Sequence, residues 1–327
     1  MTFLARKTLY VAASALLLQA CAMPGNCQAA EEEPSTPPPA IASLGLPAPA
    51  ASQLGAAVDR KDYVRAEKLL LAEIAKDPHS PRTAKLLDFA GSVYFLDHDY
   101  LNAAIAWKKS EAIAPLAHTL QFSLAMAYVR IGHSDWARRQ LLQLAAEQPK
   151  NAIFPYWLGR LDYDAHDYTS AIRHFQQAIR LEPQMARAYD NLGLCDYYQN
   201  QNQLAIDNFR KAIALDRTAP HPSAWPYLNL AITEQFLNRK GDAEADLREA
   251  IRLDPGFAQA HFHLGSLLEG DGQLTQAVQE FQKAAQLDAA YAEPHMALAR
   301  VYRKLGNQQA AKDEVQIYLR LRGQSKK

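Results

Sequence analysis

The stretch from Ala186 to Arg217, ARAYDNLGLCDYYQNQNQLAIDNFRKAIALDR, decides the fold. Its first half sets Tyr189, Leu192 and Gly193 at helical spacing, and its second half does the same with Ala205, Phe209 and Ala212. Apolar residues at that period predict two amphipathic helices. A glycine inside a helix costs about 1 kcal/mol relative to alanine, so Gly193 needs a packing reason. Close approach of the two helices supplies it.

Working outward, the same small position recurs at Gly91, Ala125, Gly159, Gly193, Ala231, Gly265 and Ala299, every 34 residues except for one step that is four longer. Twelve residues after each stands an alanine: Ala103, Ala137, Ala171, Ala205, Ala243, Ala277 and Ala311. Repeats therefore begin near Ala84, His118, Ala152, Ala186, Ala224, Ala258 and Ala292. A degenerate one precedes them, carrying Asp62, Tyr63, Ala66, Leu70 and Pro78.

Leu-Gly recurs as Leu158-Gly159, Leu192-Gly193 and Leu264-Gly265, and A-x3-F as Ala171 to Phe175, Ala205 to Phe209 and Ala277 to Phe281. Prolines close repeats at Pro115, Pro149, Pro183 and Pro255. This pattern resembles the tetratricopeptide repeat. Arg217 and Ala289 depart from it in the proline slot, and Leu87, Gln121, Pro155, His261 and His295 in the opening aromatic slot. The resemblance implies an all-α fold, a right-handed superhelical α-solenoid of helix-turn-helix repeats over about residues 50–322, with about eight repeats, the first degenerate, and a polar tail at 323–327. Each repeat then buries its apolar face on its neighbours. Position 15, between the two helices, reads His98, Gly132, His166, Asn200, Asn238, Gly272 and Gly306, largely residues that tolerate turn geometry. The extra four residues fall at Thr218–Ser223, where Pro220 and Pro222 stop the preceding helix.

The N-terminus follows a different rule. Arg6 and Lys7 precede an apolar run from Leu9 to Leu18, followed by small residues, which is the layout of a secretory signal. The run is about half of the roughly 20 residues a spanning helix needs. Leu18-Gln19-Ala20-Cys21 resembles the lipobox of bacterial lipoproteins, which implies a signal peptide over 1–21 and lipid attachment at Cys21; Gln19 is unusual in its slot. Ordinary cleavage after Ala22 or Ala29 is the alternative. Residues 22–49, rich in proline, alanine and glutamate with Glu31-Glu32-Glu33 and Pro37-Pro38-Pro39, read as a flexible tether. At about 3.1 Å per residue it would reach roughly 80 Å. The expected location is the periplasmic face of the outer membrane as a lipoprotein, or the periplasm or exterior in soluble form.

Only Cys21, Cys27 and Cys195 occur, so there is no disulfide framework; Cys195 is expected as a buried thiol. With 35 basic and 35 acidic residues the net charge is zero. Nucleic acid, which needs clustered Lys and Arg to neutralise phosphates, is not an expected partner.

No nucleophile elbow, Walker loop, S-x-x-K or H-E-x-x-H sequence is present, and neither catalysis, a cofactor, a metal nor a small-molecule substrate is expected. His261 and His263, two apart on a helix, do not share a face: His261 is expected in the aromatic slot and His263 toward the groove. Asp162, Asp164 and Asp167 lack the glycine and glutamate of a calcium loop, and read as helix-end and capping carboxylates.

Binding remains. In the resembling family the first helix of each repeat lines a concave face through positions 2, 5, 6, 9, 12 and 13. Carried onto this chain, those positions give a peptide- or protein-binding groove of Tyr156, Trp157, Arg160, Tyr163, Arg187, Asn191, Leu194, Tyr197, Tyr198, Asn229, Ile232 and Gln235, with Asp164 and Phe236 beside them. Aromatic residues and arginine are common interface anchors, and an asparagine amide both donates to and accepts from a peptide group. The alternative is that some of these aromatics only pack. The Lys and Asn of the family's clamp for acidic C-terminal tails are missing, position 5 reading Asp88, Phe122, Tyr156, Asp190, Leu228, Phe262 and Met296. The expected function is an exported, membrane-anchored scaffold that binds protein or extended peptide segments in a bacterial envelope complex. A substrate-selecting or regulatory subunit of a separate envelope enzyme, such as a glycosyltransferase, and a soluble secreted binder are the alternatives.

Overall fold

The computed structural model describes residues 41–78 and 80–324. The signal peptide, Cys21, Cys27, most of the expected tether and the end of the polar tail lie outside the described residues. Within them the regular structure is helical, a 3-10 turn at Ile41–Leu44 and sixteen α-helices. The first unit, ending at Asp164, holds α1 (Ala48–Asp59), α2 (Tyr63–Ile74), α3 (Pro81–Leu96), α4 (Tyr100–Glu111), α5 (His118–Arg130), α6 (Ser134–Glu147) and α7 (Ile153–Asp164). The second, from Ala165 on, holds α8 (Tyr168–Leu181), α9 (Ala186–Tyr198), α10 (Asn202–Asp216), α11 (Trp225–Phe236), α12 (Lys240–Leu253), α13 (Ala258–Gly270), α14 (Leu274–Leu287), α15 (Glu293–Lys304) and α16 (Gln308–Gln324). Along the sequence these are the helix pairs that the spacing predicts.

The turns follow one local rule. His98, Gly132, His166, Asn200, Asn238, Gly272 and Gly306 all have left-handed backbone, φ between 60° and 79°, and Lys61 matches them at 56° in the degenerate repeat. A short linker must reverse direction there, and the left-handed region does so in one residue. The next residue takes the N-cap position of the second helix. Asp62, Asp99 and Asp167 cap α2, α4 and α8, each accepting from the backbone N–H three residues on, at 3.2, 3.2 and 3.1 Å. His98 and His166 also hydrogen-bond, through Nδ1, to Tyr100 and Tyr168 hydroxyls two residues later.

Close helix approach shows in the glycines. A methyl on Gly91 would sit 2.4 Å from Trp107 Nε1, on Gly193 2.7 Å from Phe209 Cε1, and on Gly265 2.8 Å from Phe281 Cδ1. The small position and the residue four after the second-helix alanine vary together. Gly91, Gly159, Gly193 and Gly265 go with Trp107, Phe175, Phe209 and Phe281, whereas Ala125, Ala231 and Ala299 go with Leu141, Leu247 and Val315. At Gly91, Gly193 and Gly265 the ring takes the space of the missing methyl; where the small residue is alanine, the partner position is aliphatic.

The 3-10 turn Ile41–Leu44 and the start of α1 at Ala48 fall within the stretch 22–49 expected as tether. Leu44 is fully buried and joins Leu54, Ala57, Leu70 and Phe89 in the first unit's core. Arg82 Nε fixes the turn by donating to the Leu44 carbonyl at 3.3 Å. In the second unit the core runs through Leu228, Leu247, Phe262, Leu264, Phe281 and Leu298. The four-residue insertion is tied back to α10, the Ser223 N–H donating to Asp216 Oδ2 at 2.5 Å and Ala219 N–H to the Asp216 carbonyl at 2.8 Å. Cys195 is buried, as expected of it.

Candidate functional site

In the first unit the groove candidates sit on α7, and three of the four are interior. Tyr156, Trp157 and Arg160 are buried and Tyr163 is half-buried. Tyr156 and Trp157 meet edge to face at 5.8 Å, and the Arg160 guanidinium lies 6.0 Å over the Trp157 ring. The Trp157 indole N–H is buried without a hydrogen-bond partner. These three residues are interior, where the register reading expects them to line a groove. Asp162 lies in the last turn of α7, as a helix-end carboxylate should, but it is also buried with Arg138 Nη1 2.7 Å from its Oδ1. Asp167 is the cap expected of it.

In the second unit Asn191 and Asn229 are also buried. Asn191 Nδ2 donates to the Arg187 carbonyl in its own helix at 2.8 Å, and Asn229 Nδ2 donates to Asp190 Oδ1 at 2.9 Å. Asn191 therefore bonds within its own helix, and Asn229 bonds across to α9. Arg187, Leu194, Tyr197, Tyr198, Ile232 and Gln235 are half-buried.

Those half-buried residues adjoin an aromatic surface. Tyr198 stacks on Tyr168 with centroids 4.9 Å apart and planes 3° from parallel. Tyr197 meets Tyr198 at 5.7 Å and Phe236 at 6.1 Å, both nearly perpendicular. Phe236 is 48% exposed. Tyr168 escaped the register argument because it opens a second helix.

Charge at the other first helices of this unit is arranged in pairs that spacing did not reveal, buried Glu234 and Glu269 being met by more exposed cations. Arg300 grips Glu269 through Nε and Nη2 at 2.8 and 2.5 Å, and Lys304 Nζ adds a contact at 2.7 Å. Burial pushes the Glu269 carboxyl up, but these two cations outweigh it and leave it below the usual carboxylate range. Arg210 Nη2 lies 3.2 Å from Oε1 of fully buried Glu234. Asp246 is pushed up to about 7 by burial and by the neighbouring Glu234. His261 and His295, at the same register position, each turn Nδ1 to a glutamate nineteen residues on, Glu280 at 2.7 Å and Glu314 at 2.6 Å. His263 is buried, not facing a groove, and burial lowers its pKa to about 4.

Among the described residues no three His, Cys, Asp or Glu side chains gather as a metal site would require, and no helix is long and apolar enough to cross a membrane.

Comparison with known proteins supports the repeat reading. Residues 184–255 and 228–292 match two models described as Tetratricopeptide repeat. The chain is 29% identical over 172 residues to a Lipoprotein NlpI homolog of Haemophilus influenzae, covering 51% of this chain and 52% of that protein. The chain spans about half or less of the length of the curated relatives it matches. A tetratricopeptide repeat protein from Parabacteroides merdae superposes with a TM-score of 0.63 at 17% identity, covering 86% of this chain and 99% of that one. PilW, a widely conserved type IV pilus biogenesis factor, does so with a TM-score of 0.54 at 25% identity, covering 60% of this chain and 90% of its own. These likenesses place the fold in the α-solenoid class, and the family matches identify the repeats of residues 184–292 as tetratricopeptide repeats.

Proposed function

We propose that this chain is an exported, lipid-anchored scaffold that binds protein segments in a bacterial envelope assembly. The observation that carries the binding half is the aromatic surface of Tyr168, Tyr197, Tyr198 and Phe236, where the exposed Phe236 ring adjoins three half-buried, mutually contacting tyrosines. The export half rests on the sequence from Arg6 to Cys21. The likeness to a lipoprotein homolog and to a pilus biogenesis factor agrees with both halves.

The test is in-cell cross-linking followed by mass spectrometry on separated membrane and soluble fractions, comparing the native chain with a Tyr198→Ala, Phe236→Ala variant and with Cys21→Ser. Loss of an envelope partner in the aromatic variant supports the surface, and release of Cys21→Ser into the soluble fraction supports the anchor. Partners unchanged by the aromatic variant, in a folded protein, would refute the surface; unchanged membrane association of Cys21→Ser would refute the anchor.

A further inference from the structure

Asp196 stands third after Gly193, as Asp162 does after Gly159 and Glu234 after Ala231. All three carboxylates are buried. Two of them meet an arginine from the second helix of the preceding repeat, Arg138 with Asp162 and Arg210 with Glu234. Arg138 follows Ala137 by one residue and Arg210 follows Ala205 by five, so the two positions lie one helical turn apart on the same face. The helix before Asp196 is α8. After its Ala171, the same two positions hold Ile172 and Gln176, and neither carries a charge.

The place of the guanidinium is open. Ile172, Gln176, Leu192, Asp196, Leu204 and Asn208 line a cleft of about 370 Å³ between α8, α9 and α10. Asn208 Nδ2 donates to Asp196 Oδ2 at 2.7 Å. At the rim, Gln199 Nε2 donates to Thr169 Oγ1 and Gln201 Nε2 to Gln199 Oε1, each at 3.3 Å. Arg173 also lines the cleft, with its Nη2 donating to Ser170 Oγ at 2.9 Å.

We infer that this cleft receives the guanidinium of an arginine side chain from a partner protein, seated on the Asp196 carboxylate that the chain's own repeat leaves without one. Ile172, Leu192 and Leu204 supply apolar walls for the arginine stem. The amide oxygens of Gln176 and Asn208 supply acceptors for the remaining N–H groups. Leu192, Asp196 and Gln199 lie on the side of α9 turned away from Leu194, Tyr197 and Tyr198. The cleft therefore stands or falls independently of the aromatic surface.

The experiment uses the folded chain, with carboxyl-carbon NMR of Asp196 and calorimetry. The probes are a blocked arginine-containing pentapeptide, the same peptide with neutral citrulline in place of arginine, and agmatine as a free small guanidinium. The arginine peptide should move the Asp196 resonance and bind at least tenfold more tightly than the citrulline peptide. It should also bind more tightly than agmatine. Asp196→Asn should abolish the calorimetric binding while the chain still unfolds cooperatively, and Ile172→Arg, which restores the arginine within the chain, should abolish it while raising Tm. Equal binding of the arginine and citrulline peptides would overturn the proposal. Tighter agmatine binding would overturn the assignment to a protein partner. Binding seen only in Arg173→Gln would show that the chain's own Arg173 fills the cleft, and would equally overturn it.

Discussion

Gly193 lies against Phe209 so closely that a methyl group there would come 2.7 Å from ring atom Cε1 and 3.1 Å from the Ala205 carbonyl oxygen. Gly193→Ala gains about 1 kcal/mol of helix propensity but forces the ring to move, and overpacking of this kind costs about 1–3 kcal/mol. A net loss of about 1 kcal/mol is expected by urea denaturation. Phe209→Leu alone leaves a void. The double variant reproduces the pairing of Ala231 with Leu247, so a double-mutant cycle should show favourable coupling of about 1 kcal/mol or more.

Lys61 has φ 56°, in the region where a side chain crowds its own backbone. It has none of the His–Tyr hydrogen bonding that His98 and His166 make at the same point. Lys61→Gly should therefore stabilise the protein by about 0.5–1 kcal/mol, and Lys61→Val should destabilise it, both by thermal melting.

The interior and exposed aromatics should separate under mutation. Trp157 is 3% exposed, and Trp157→Ala should cost about 3–5 kcal/mol by chemical denaturation. Phe236→Ala, at 48% exposure, should cost under about 1 kcal/mol. Loss of partner cross-linking in Phe236→Ala with an unchanged melting curve is the pattern a binding surface produces.

Asp196 gives stability a pH dependence. Burial pushes its carboxyl up to about 6 from the ordinary 3.8, opposed by the Asn208 hydrogen bond, so the folded chain holds the proton more tightly than the unfolded chain does. Its contribution is most favourable below about 3.8 and declines as pH rises through about 6. Arg173 is the other charged side chain lining the cleft. Asp196→Asn should thus gain on the parent protein in Tm at pH 8 relative to pH 5. An identical difference at both pH values would contradict the buried-carboxylate account.

The repeat, its turns and its glycines were legible because each is a local or periodic constraint: a left-handed turn residue, a capping aspartate one residue later, a small residue where helices touch. The binding face was only partly legible. Trp157 and Tyr198 both come from register positions assigned to the groove, yet one is interior and the other half-buried. The difference depends on how neighbouring helices crowd each position, which spacing does not record. The Asn229–Asp190 bond joins residues 39 apart and the Arg300–Glu269 pair residues 31 apart; in both, a partner's identity matters more than its period. Leu44, in a stretch whose composition reads as linker, is buried in the first unit's core, a contact that composition does not record.

The two kinds of lock described above act at different scales. A glycine and its facing ring belong to one helix pair, so any pair could be copied elsewhere and still close upon itself. The Arg138–Asp162 and Arg210–Glu234 contacts instead join one repeat to the next. A repeat moved to another place would bring a buried anion to a neighbour without its cation, at a cost in stability that packing alone would not impose. Sterically the modules are alike; electrostatically they are numbered, and the numbering fixes the order in which they can be strung.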